Sequence, residues 1–250
     1  MRPSGPENIR DSLFHPVAIF VLAMLVVPQV TAFVLGLAGL NRGAAGEVPD
    51  PAFTGAVLAA QGIALALITL GHVTGPTGLG LPARVLGLTA GDWRRDVVLG
   101  MLAGAGMLAV NVAGSALAAW LFTHILGPEA AARHIAREQA GLEQMFQAGV
   151  PPVQLALLAI IAVVVAPVSE ELFFRGYVHG VLRAHLGSRA VWATSAVFAA
   201  AHLYLVHFLP LFFMGYILTA LYERRGTLVA PVVAHAAANL GVAVGLLLQR

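Results

Sequence analysis

Residues 153–176 read VQLALLAIIAVVVAPVSEELFFRG, an apolar run that ends in two adjacent acids and is closed by an arginine. The run 153–168 has the composition of a helix that enters a lipid bilayer, where about 20 apolar residues are needed for a span. Glu170 and Glu171 continue the same helical segment, which extends with mixed composition to Leu186. Because an ionisable side chain inside a membrane is expensive, these acids predict a functional site within a membrane helix.

The composition of the whole chain is typical of a membrane protein. Of its 250 residues, 59% are hydrophobic and only 10% are charged, whereas a soluble domain carries about 25% charged residues. There is no cysteine, which excludes disulfides and thiolate metal sites. The formal net charge of +2 is too small for a nucleic-acid-binding surface. We therefore expect a lipid bilayer, and no nucleic acid, as a partner.

Apolar segments recur along the chain and predict an all-α fold, a polytopic transmembrane helical bundle. We expect about seven spans, within a range of six to eight, from a requirement of ~20 residues for each. The predicted segments are Pro16–Leu40, Ala52–His72, Val97–Phe122, Val153–Val168, Val191–Leu205, Leu211–Tyr222 and Leu228–Leu248. The polar stretch Thr123–Val150 is expected at the membrane interface or outside it.

These segments divide the chain into three parts. Residues 1–15 are predicted to be a cytoplasmic N-terminal tail, and residues 16–150 to be membrane scaffold helices with an interfacial segment. Residues 151–250 are predicted to be the catalytic membrane domain, because the acids and imidazoles are concentrated there.

The distribution of arginines predicts the orientation. With the N-terminus inside, the inner loops carry more arginines than the outer loops, and positively charged loops stay cytoplasmic. The inner arginines are Arg2, Arg10, Arg84, Arg94, Arg95, Arg183, Arg189, Arg224 and Arg225, and the outer ones are Arg42, Arg133, Arg137 and Arg250. The prediction is a multi-pass integral membrane protein whose N-terminus and active-site opening face the cytoplasm.

The two adjacent acids are expected to differ in role. Neighbouring residues on a helix point about 100° apart, so Glu170 and Glu171 cannot share one face. Glu171 and Arg175 are four residues apart with the acid first, which is the favourable order for an ion pair. Glu170 then has no local partner, and a desolvated carboxylate is suited to act as a general base. Pro167 should kink the helix just before it and free a carbonyl group.

Two further motifs place polar groups on alanine-rich helices at a spacing of one turn. Phe198 and His202 are four residues apart, as are His235 and Asn239, so each pair shares a helical face. A single histidine in an apolar helix is usually a packing residue with its hydrogen bonds satisfied. Two of them, following the paired acids, indicate a site.

A turn at Gly187 is expected to bring the motifs together. Gly187 lies midway between Glu170 and His202, so that in an antiparallel hairpin the two side chains face each other at the same height. We expect His235 to reach the same level, and the three motifs to converge in one cavity toward the cytoplasmic side.

A site of this composition fits hydrolysis of a peptide bond. A carboxylate with an imidazole can hold and deprotonate a water, while a second imidazole and an amide can donate to a developing oxyanion. The motifs contain no serine or cysteine partnered with histidine, and no HExxH sequence occurs. A zinc site made of Glu170, His202 and His235 is chemically reasonable. We favour the absence of a cofactor, with zinc as the alternative.

The three motifs, in this order, resemble those of the CPBP intramembrane proteases. The residues concerned are Glu-Glu-x-x-x-Arg at 170–175, Phe-x-x-x-His at 198–202 and His-x-x-x-Asn at 235–239. That family groups the type II CAAX prenyl endopeptidases with the Abi proteins of bacteriocin processing and self-immunity. The resemblance covers about residues 163–240, and the first 150 residues resemble the family only as generic helices.

The resemblance implies a helical bundle with a catalytic cavity inside the membrane. It implies that Glu170 and His202 activate water and that His235 with Asn239 stabilises the oxyanion. Glu171, Arg175 and Phe198 match motif positions and are predicted to support the site. Both a metalloprotease and a glutamate-dependent mechanism are consistent with the family, and we favour the second.

The resemblance also implies a peptide or protein substrate in the membrane, and prenylated CAAX substrates are one option. A prenyl groove could be lined by Phe173, Phe174, Phe208, Phe212 and Phe213. Two other functions stay open. One is a non-catalytic binding or scaffold protein of the same fold, which would not need Glu170. The other is a transporter or proton relay, which would need a polar path across the whole membrane, and the first three spans offer little for such a path.

Overall fold

The computed structural model describes residues 9–40, 50–89, 91–147 and 149–249, and all regular secondary structure in these ranges is helical. The α-helices are α1 (Phe14–Val21), α2 (Val27–Leu37), α3 (Pro51–Thr74), α4 (Trp93–Leu126), α5 (Pro128–Met145), α6 (Pro152–Ile160), α7 (Ala166–Glu171), α8 (His179–Leu186), α9 (Ala190–Ala201), α10 (Phe208–Arg225) and α11 (Val229–Leu248). Single π-helical stretches, Leu22–Val26, Ile161–Val165 and Leu172–Val178, join α1 to α2, α6 to α7 and α7 to α8. Short 3₁₀ turns lie at Ala83–Leu86 and Gly187–Arg189.

The predicted bundle of about seven spans is confirmed. Five helical runs in the described ranges are long and apolar enough to cross a membrane: Phe14–Leu37, Pro51–Thr74, Trp93–Leu126, Pro152–Ala201 and Val229–Leu248. The run Pro152–Ala201 contributes two arms, since it reverses direction at Gly187, whose φ is +57° and ψ −132°. Helix α10 adds a further membrane-length segment, which ends in three charged residues, Glu223, Arg224 and Arg225. Of the arginines used to predict orientation, Arg2, Arg42 and Arg250 lie outside the described residues.

The arm from α6 to α8 passes through a π-helical stretch, Ile161–Val165, just before Pro167, and the predicted kink stays a prediction. Within the π-helical stretch, the amide of Ala166 bonds the carbonyl of Ile161, five residues back. The next residue is Pro167, which has no N–H to give to the carbonyl of Ala162. Asn239 on α11 supplies the missing donor, with its Nδ2 2.8 Å from that oxygen. The proline thus leaves the carbonyl of Ala162 free to accept this bond, which joins α11 to the helical hairpin Pro152–Ala201.

The hairpin's second arm ends earlier than the sequence indicates. The predicted span Val191–Leu205 stops as α9 at Ala201, and residues 202–207 form a link to α10. Leu203 in this link has a φ of +57°, which is uncommon for a residue other than glycine. The helix ends here because the following amides donate to the carboxylate of Glu138, on α5, rather than to carbonyls one turn back. Helix α5 occupies the polar stretch that was expected at the interface.

Helix α4 from the first half of the chain packs closely on α11. A methyl group added at Gly100 would lie 2.7 Å from the carbonyl oxygen of Ala230, and one at Gly104 would lie 2.7 Å from the Cβ of Ala237. Only glycine allows this approach, which is the expected use of small residues at one-turn spacing in membrane helices. The hydrophobic core draws on both halves of the chain. The division at residue 150 stays a prediction.

The start of the first span is anchored by one carboxylate. Asp11 accepts hydrogen bonds from His15 Nδ1 (2.6 Å), His72 Nε2 (2.8 Å) and the amide of Ser12 (2.7 Å), and also from the hydroxyl of Tyr177. Burial alone would raise the pKa of Asp11, but these donors outweigh it and lower the pKa to about 2. Three segments, α1, α3 and the hairpin, therefore meet at one anionic group.

Candidate active site

The buried centre of the site is an ion pair within the hairpin. Arg175 Nη1 lies 2.7 Å from Glu171 Oε1, and both side chains are completely buried, as the four-residue spacing predicts. The same carboxylate oxygen accepts a hydrogen bond from His235 Nδ1 on α11 at 2.8 Å. Glu171 therefore joins two elements, and its charge is balanced inside the protein.

The guanidinium of Arg175 is held on every side. Its Nε donates to Thr219 Oγ1 (3.4 Å) and its Nη2 to the carbonyl of Gly215 (3.2 Å), both on α10. The ring of Phe198 lies 4.4 Å below the guanidinium carbon, within cation–π range. Because the cation has these partners, α10 and the hairpin are locked in register around it.

Glu170 differs from Glu171 in having no ion partner at hydrogen-bonding distance. Its Oε2, like Oε2 of Glu171, is buried and has no hydrogen-bond partner. Two imidazole nitrogens, His202 Nε2 and His235 Nε2, each lie 4.0 Å from this oxygen. These distances are too long for direct hydrogen bonds and match polar groups that share an intervening water. The predicted meeting of Glu170 with both imidazoles is therefore present in the structure.

Both imidazoles turn the same nitrogen toward Glu170. His202 Nδ1 lies 2.8 Å from the carbonyl of Phe198, and His235 Nδ1 lies 2.8 Å from the carboxylate of Glu171. Since a carbonyl and a carboxylate only accept, each Nδ1 carries a proton. In the neutral ring, each Nε2 then presents a lone pair, and protonation makes it a donor. The Nε2 atoms can thus exchange protons with a molecule bound at Glu170.

Phe198 packs against the members of the site rather than reacting. Its ring contacts that of His202 edge-on (centroids 4.7 Å apart) and also that of His235 (6.0 Å). Phe174 meets it from the hairpin's first arm at 5.3 Å. Phe198 therefore packs against both imidazoles, and its supporting role stays a prediction.

Asn239 reaches the site through the backbone of the hairpin. The structure places its Nδ2 on the carbonyl of Ala162, which uses one of the two amide N–H bonds and leaves one free. Its role as an oxyanion donor stays a prediction.

The zinc alternative requires that Glu170, His202 and His235 bring one ligand atom each close together. Within the described ranges, the group whose ligand atoms all lie within 4.8 Å of one another is Asp11, His15 and His72. Glu170, His202 and His235 form a wider set than this. The three residues therefore do not form as compact a ligand set as Asp11, His15 and His72 do, and both metal independence and the zinc alternative stay predictions.

Two residues that shape the site, Thr219 and Gly215, were not identified from the sequence, whereas His179 was considered as a possible neighbour of Arg175. Thr219 and Gly215 supply oxygens that accept hydrogen bonds from Arg175. The sequence signal for these contacts was a glycine and a threonine one helical turn apart in a short span. His179 bonds Thr194 Oγ1 (3.0 Å) and Glu223 Oε1 (3.1 Å) one turn beyond Arg175. These contacts join positions 15 and 44 residues apart, so that no local pattern points to them.

An apolar cavity of about 440 Å³ adjoins the site between α1 and the hairpin. Phe20, Phe173 and Phe174 line it on one side, and Ala201, next to His202, lines it on another. The other three predicted groove residues, Phe208, Phe212 and Phe213, do not line this cavity and lie on α10. Of these three, Phe212 stacks on Trp192 of α9, and a groove lined by them stays a prediction.

Comparison with known proteins identifies the segment that holds the site. Residues 152–241 match the family described as type II CAAX prenyl endopeptidase Rce1-like. The matched segment includes all the predicted site residues, from Glu170 to Asn239. No curated protein and no solved structure matches the chain. With its apolar helices, the chain is a multi-pass integral membrane protein, and its segment 152–241 is similar to the type II CAAX prenyl endopeptidase Rce1-like family.

Proposed function

We propose that this protein is an intramembrane endopeptidase whose attacking water is held and deprotonated at Glu170. The observation that carries the proposal is the free, buried oxygen of this side chain, 4.0 Å from an imidazole nitrogen of both His202 and His235. An unpaired buried carboxylate oxygen is costly, and a water bound among the three groups satisfies all of them.

The reaction follows from the proton-accepting groups around that water. Glu170, assisted by the lone pair of His202, takes a proton from the water. As it does so, the water oxygen attacks the carbonyl carbon of the substrate peptide. The tetrahedral intermediate collapses with cleavage of the carbon–nitrogen bond. Glu170 then returns the proton to the leaving amine, and a new carboxylate and a free amine are the products.

His235 and Asn239 are suited to stabilise the oxyanion of the intermediate. His235 can donate from Nε2 in its protonated form, in which Nδ1 keeps its hydrogen bond to the Glu171 carboxylate. Asn239 has one amide N–H left beside its bond to Ala162. Two donors fixed before the reaction begins are what such an intermediate requires.

The apolar cavity supports a lipid-bearing or strongly apolar substrate. Its volume of about 440 Å³ lies within the range of ligand pockets, roughly 300–1,000 Å³. Because Ala201 and Phe174 belong both to its wall and to the surroundings of His202, a chain bound there would present its peptide end to the site. We propose a prenylated or otherwise lipidated peptide as the substrate.

The arginine-bearing loops support a cytoplasmic orientation of one end of the bundle. Ion pairs of Arg183 with Glu223 and of Arg225 with Asp96 gather the hairpin tip, the end of α10 and the start of α4 at one end of the bundle. These loops are among those predicted to be inner, so we propose that this end and the N-terminus face the cytoplasm.

The decisive experiment is Glu170→Gln in purified protein reconstituted in lipid vesicles. The substrate is one CAAX-type peptide, prepared with and without a prenyl group. We expect cleavage to fall by two to four orders of magnitude at unchanged folded yield, the usual contribution of a general base. Glu143→Gln, an exposed acid on α5, is the matched control and should cleave normally.

Retained cleavage in the Glu170→Gln protein would remove the base assignment, whereas the absence of cleavage by the wild-type protein would favour the scaffold alternative. Preference for the prenylated peptide should shrink in Val17→Trp, which narrows the cavity without touching the acids. Comparing the proteomes of membranes that carry wild type or Glu170→Gln would then reveal the natural substrates as uncut proteins that accumulate.

A further inference from the structure

We infer that Glu138 is a positioning residue for His202, acting by clamping the link 203–207 from the interfacial helix α5. The inference rests on the proposed function, in which His202 must stand at a fixed distance from Glu170. It adds a residue outside the matched segment 152–241 to the machinery.

One carboxylate holds the whole link. Glu138 Oε1 accepts from the amides of Leu205 (2.7 Å) and Val206 (2.9 Å), and Oε2 accepts from the amide of His207 (3.0 Å) and from its Nδ1 (2.7 Å). Burial would raise the pKa of Glu138, but these donors outweigh it and lower the pKa below the ordinary value. The donors therefore favour the charged form of this side chain.

The position of Glu138 on its helix is unusual for an acid. Helix α5 is polar and mostly exposed, and its inward face is marked by the buried Ala131 and by Ile135. Glu138 continues that face one turn later, with a side chain only 10% exposed. A carboxylate on the inward face of an otherwise solvated helix needs a partner, and the link is that partner.

The clamp also places a negative charge just before the start of α10. Helix α10 starts at Phe208, and its N-cap residue, His207, makes no side-chain capping bond. A negative charge at a helix N-terminus is stabilised by the free amides and by the helix dipole. Glu138 supplies this charge from another helix, so the start of α10 depends on α5.

The link connects directly to His202. Leu203, which follows His202, has a positive φ, and its neighbours must hold it there. The ring of Tyr204 lies between the two histidines, 6.3 Å from His202 and 6.0 Å from His207. Release of the link would free the last turn of α9, whose His202 then loses its fixed 4.0 Å distance from Glu170.

The absence of cysteine from the chain allows a direct test of the clamp. Val206 is 1% exposed in the link, so that a single Val206→Cys substitution reports opening through its rate of maleimide labelling. The labelling rate would be measured in Glu138→Gln and Glu138→Ala, alongside kcat and KM for the CAAX-type peptide. Glu129→Gln on the same helix, whose side chain is 91% exposed, is the matched control.

We expect both Glu138 variants to label at least about tenfold faster and to lose about 10- to 100-fold in kcat with little change in KM, since misplacement of a catalytic group by about 1 Å has effects of this size. Glu138→Gln keeps one acceptor oxygen and should be the milder of the two. The Glu129 variant should match wild type in both measurements.

An unchanged labelling rate in Glu138→Ala would overturn the clamp. Faster labelling with an unchanged kcat would overturn the positioning role. If the wild-type protein cleaves no peptide, the proposed function fails, whereas the labelling rates still decide whether Glu138 holds the link.

Discussion

Two clusters in this protein combine a carboxylate with two imidazoles, and they are arranged in opposite ways. At the N-terminal anchor, His15 and His72 bond Asp11 directly at 2.6 and 2.8 Å. At the candidate active site, both imidazoles stand 4.0 Å from the free oxygen of Glu170. The residue types are the same, but only the second cluster leaves room for a reacting molecule.

The difference lies in what holds the imidazoles. In the anchor, the carboxylate itself is the acceptor that fixes the rings. In the site, separate acceptors do so: the carbonyl of Phe198 for His202, and Glu171 for His235. A second acid, Glu171, which is paired with Arg175, thus holds His235 in place. Glu170 does not hold either imidazole by a direct hydrogen bond.

The largest expected effect comes from breaking the buried pair beside the site. Glu171→Gln removes the counterion of the completely buried Arg175. Such an uncompensated charge costs about 3–5 kcal/mol, so we expect a marked fall in thermal stability in detergent together with loss of activity. Glu170→Gln should keep its stability, since its carboxylate has no ion partner within hydrogen-bonding distance. Equal stability losses in the two variants would contradict the division of roles.

The next effect compares one histidine from each cluster. His202→Gln should lower cleavage by about 100-fold or more at nearly unchanged stability, because it removes a proton acceptor that packs at the site's edge. His72→Gln should leave kcat close to wild type and lower stability, because it removes a bond to Asp11. Peptide cleavage and thermal unfolding of both proteins give the comparison, which fails if the two variants show the same pattern.

A smaller effect is expected at the anchor carboxylate. Asp11→Asn should cost about 1.5–3 kcal/mol, the usual value of hydrogen bonds to a charged group. The pKa of Asp11 is about 2 in the folded protein and 3.8 ordinarily. Since the folded value is the lower one, its stabilisation is complete above pH 3.8 and is lost as pH falls toward 2. Thermal unfolding across this window should show a loss in wild type that Asp11→Asn lacks.

The fold and the centre of the site could be predicted from the sequence because their signals are local. Apolar runs give the spans, and the four-residue spacings in 170–175 and 198–202 put partners on one helical face. Because Gly187 lies midway between Glu170 and His202, counting residues from this turn predicted that the two side chains lie at the same depth in the membrane. Pro167 predicted a free carbonyl, although its partner, Asn239, was assigned to chemistry alone.

The remaining contacts could not be predicted because they join distant elements through single side chains. Glu138 meets the link 67 to 69 residues away, and Tyr177 meets Asp11 across 166 residues. Neither acid belongs to a periodic pattern or a spaced motif. The early end of α9 follows from the contact of Glu138 with the link. The predicted end at Leu205 was wrong because this contact could not be predicted.

The smallest expected effect is that of removing metal ions. In the anchor, the ligand atoms of Asp11, His15 and His72 lie within 4.8 Å of one another, whereas the Glu170 set is wider. If Glu170 activates water without a metal, incubation with a strong chelator should leave cleavage unchanged within about twofold, in wild type and in His72→Gln alike. Full loss of cleavage that zinc restores would overturn the metal-independent mechanism. Loss confined to wild type, with His72→Gln insensitive, would instead place the metal at the anchor, which separates the two clusters by experiment.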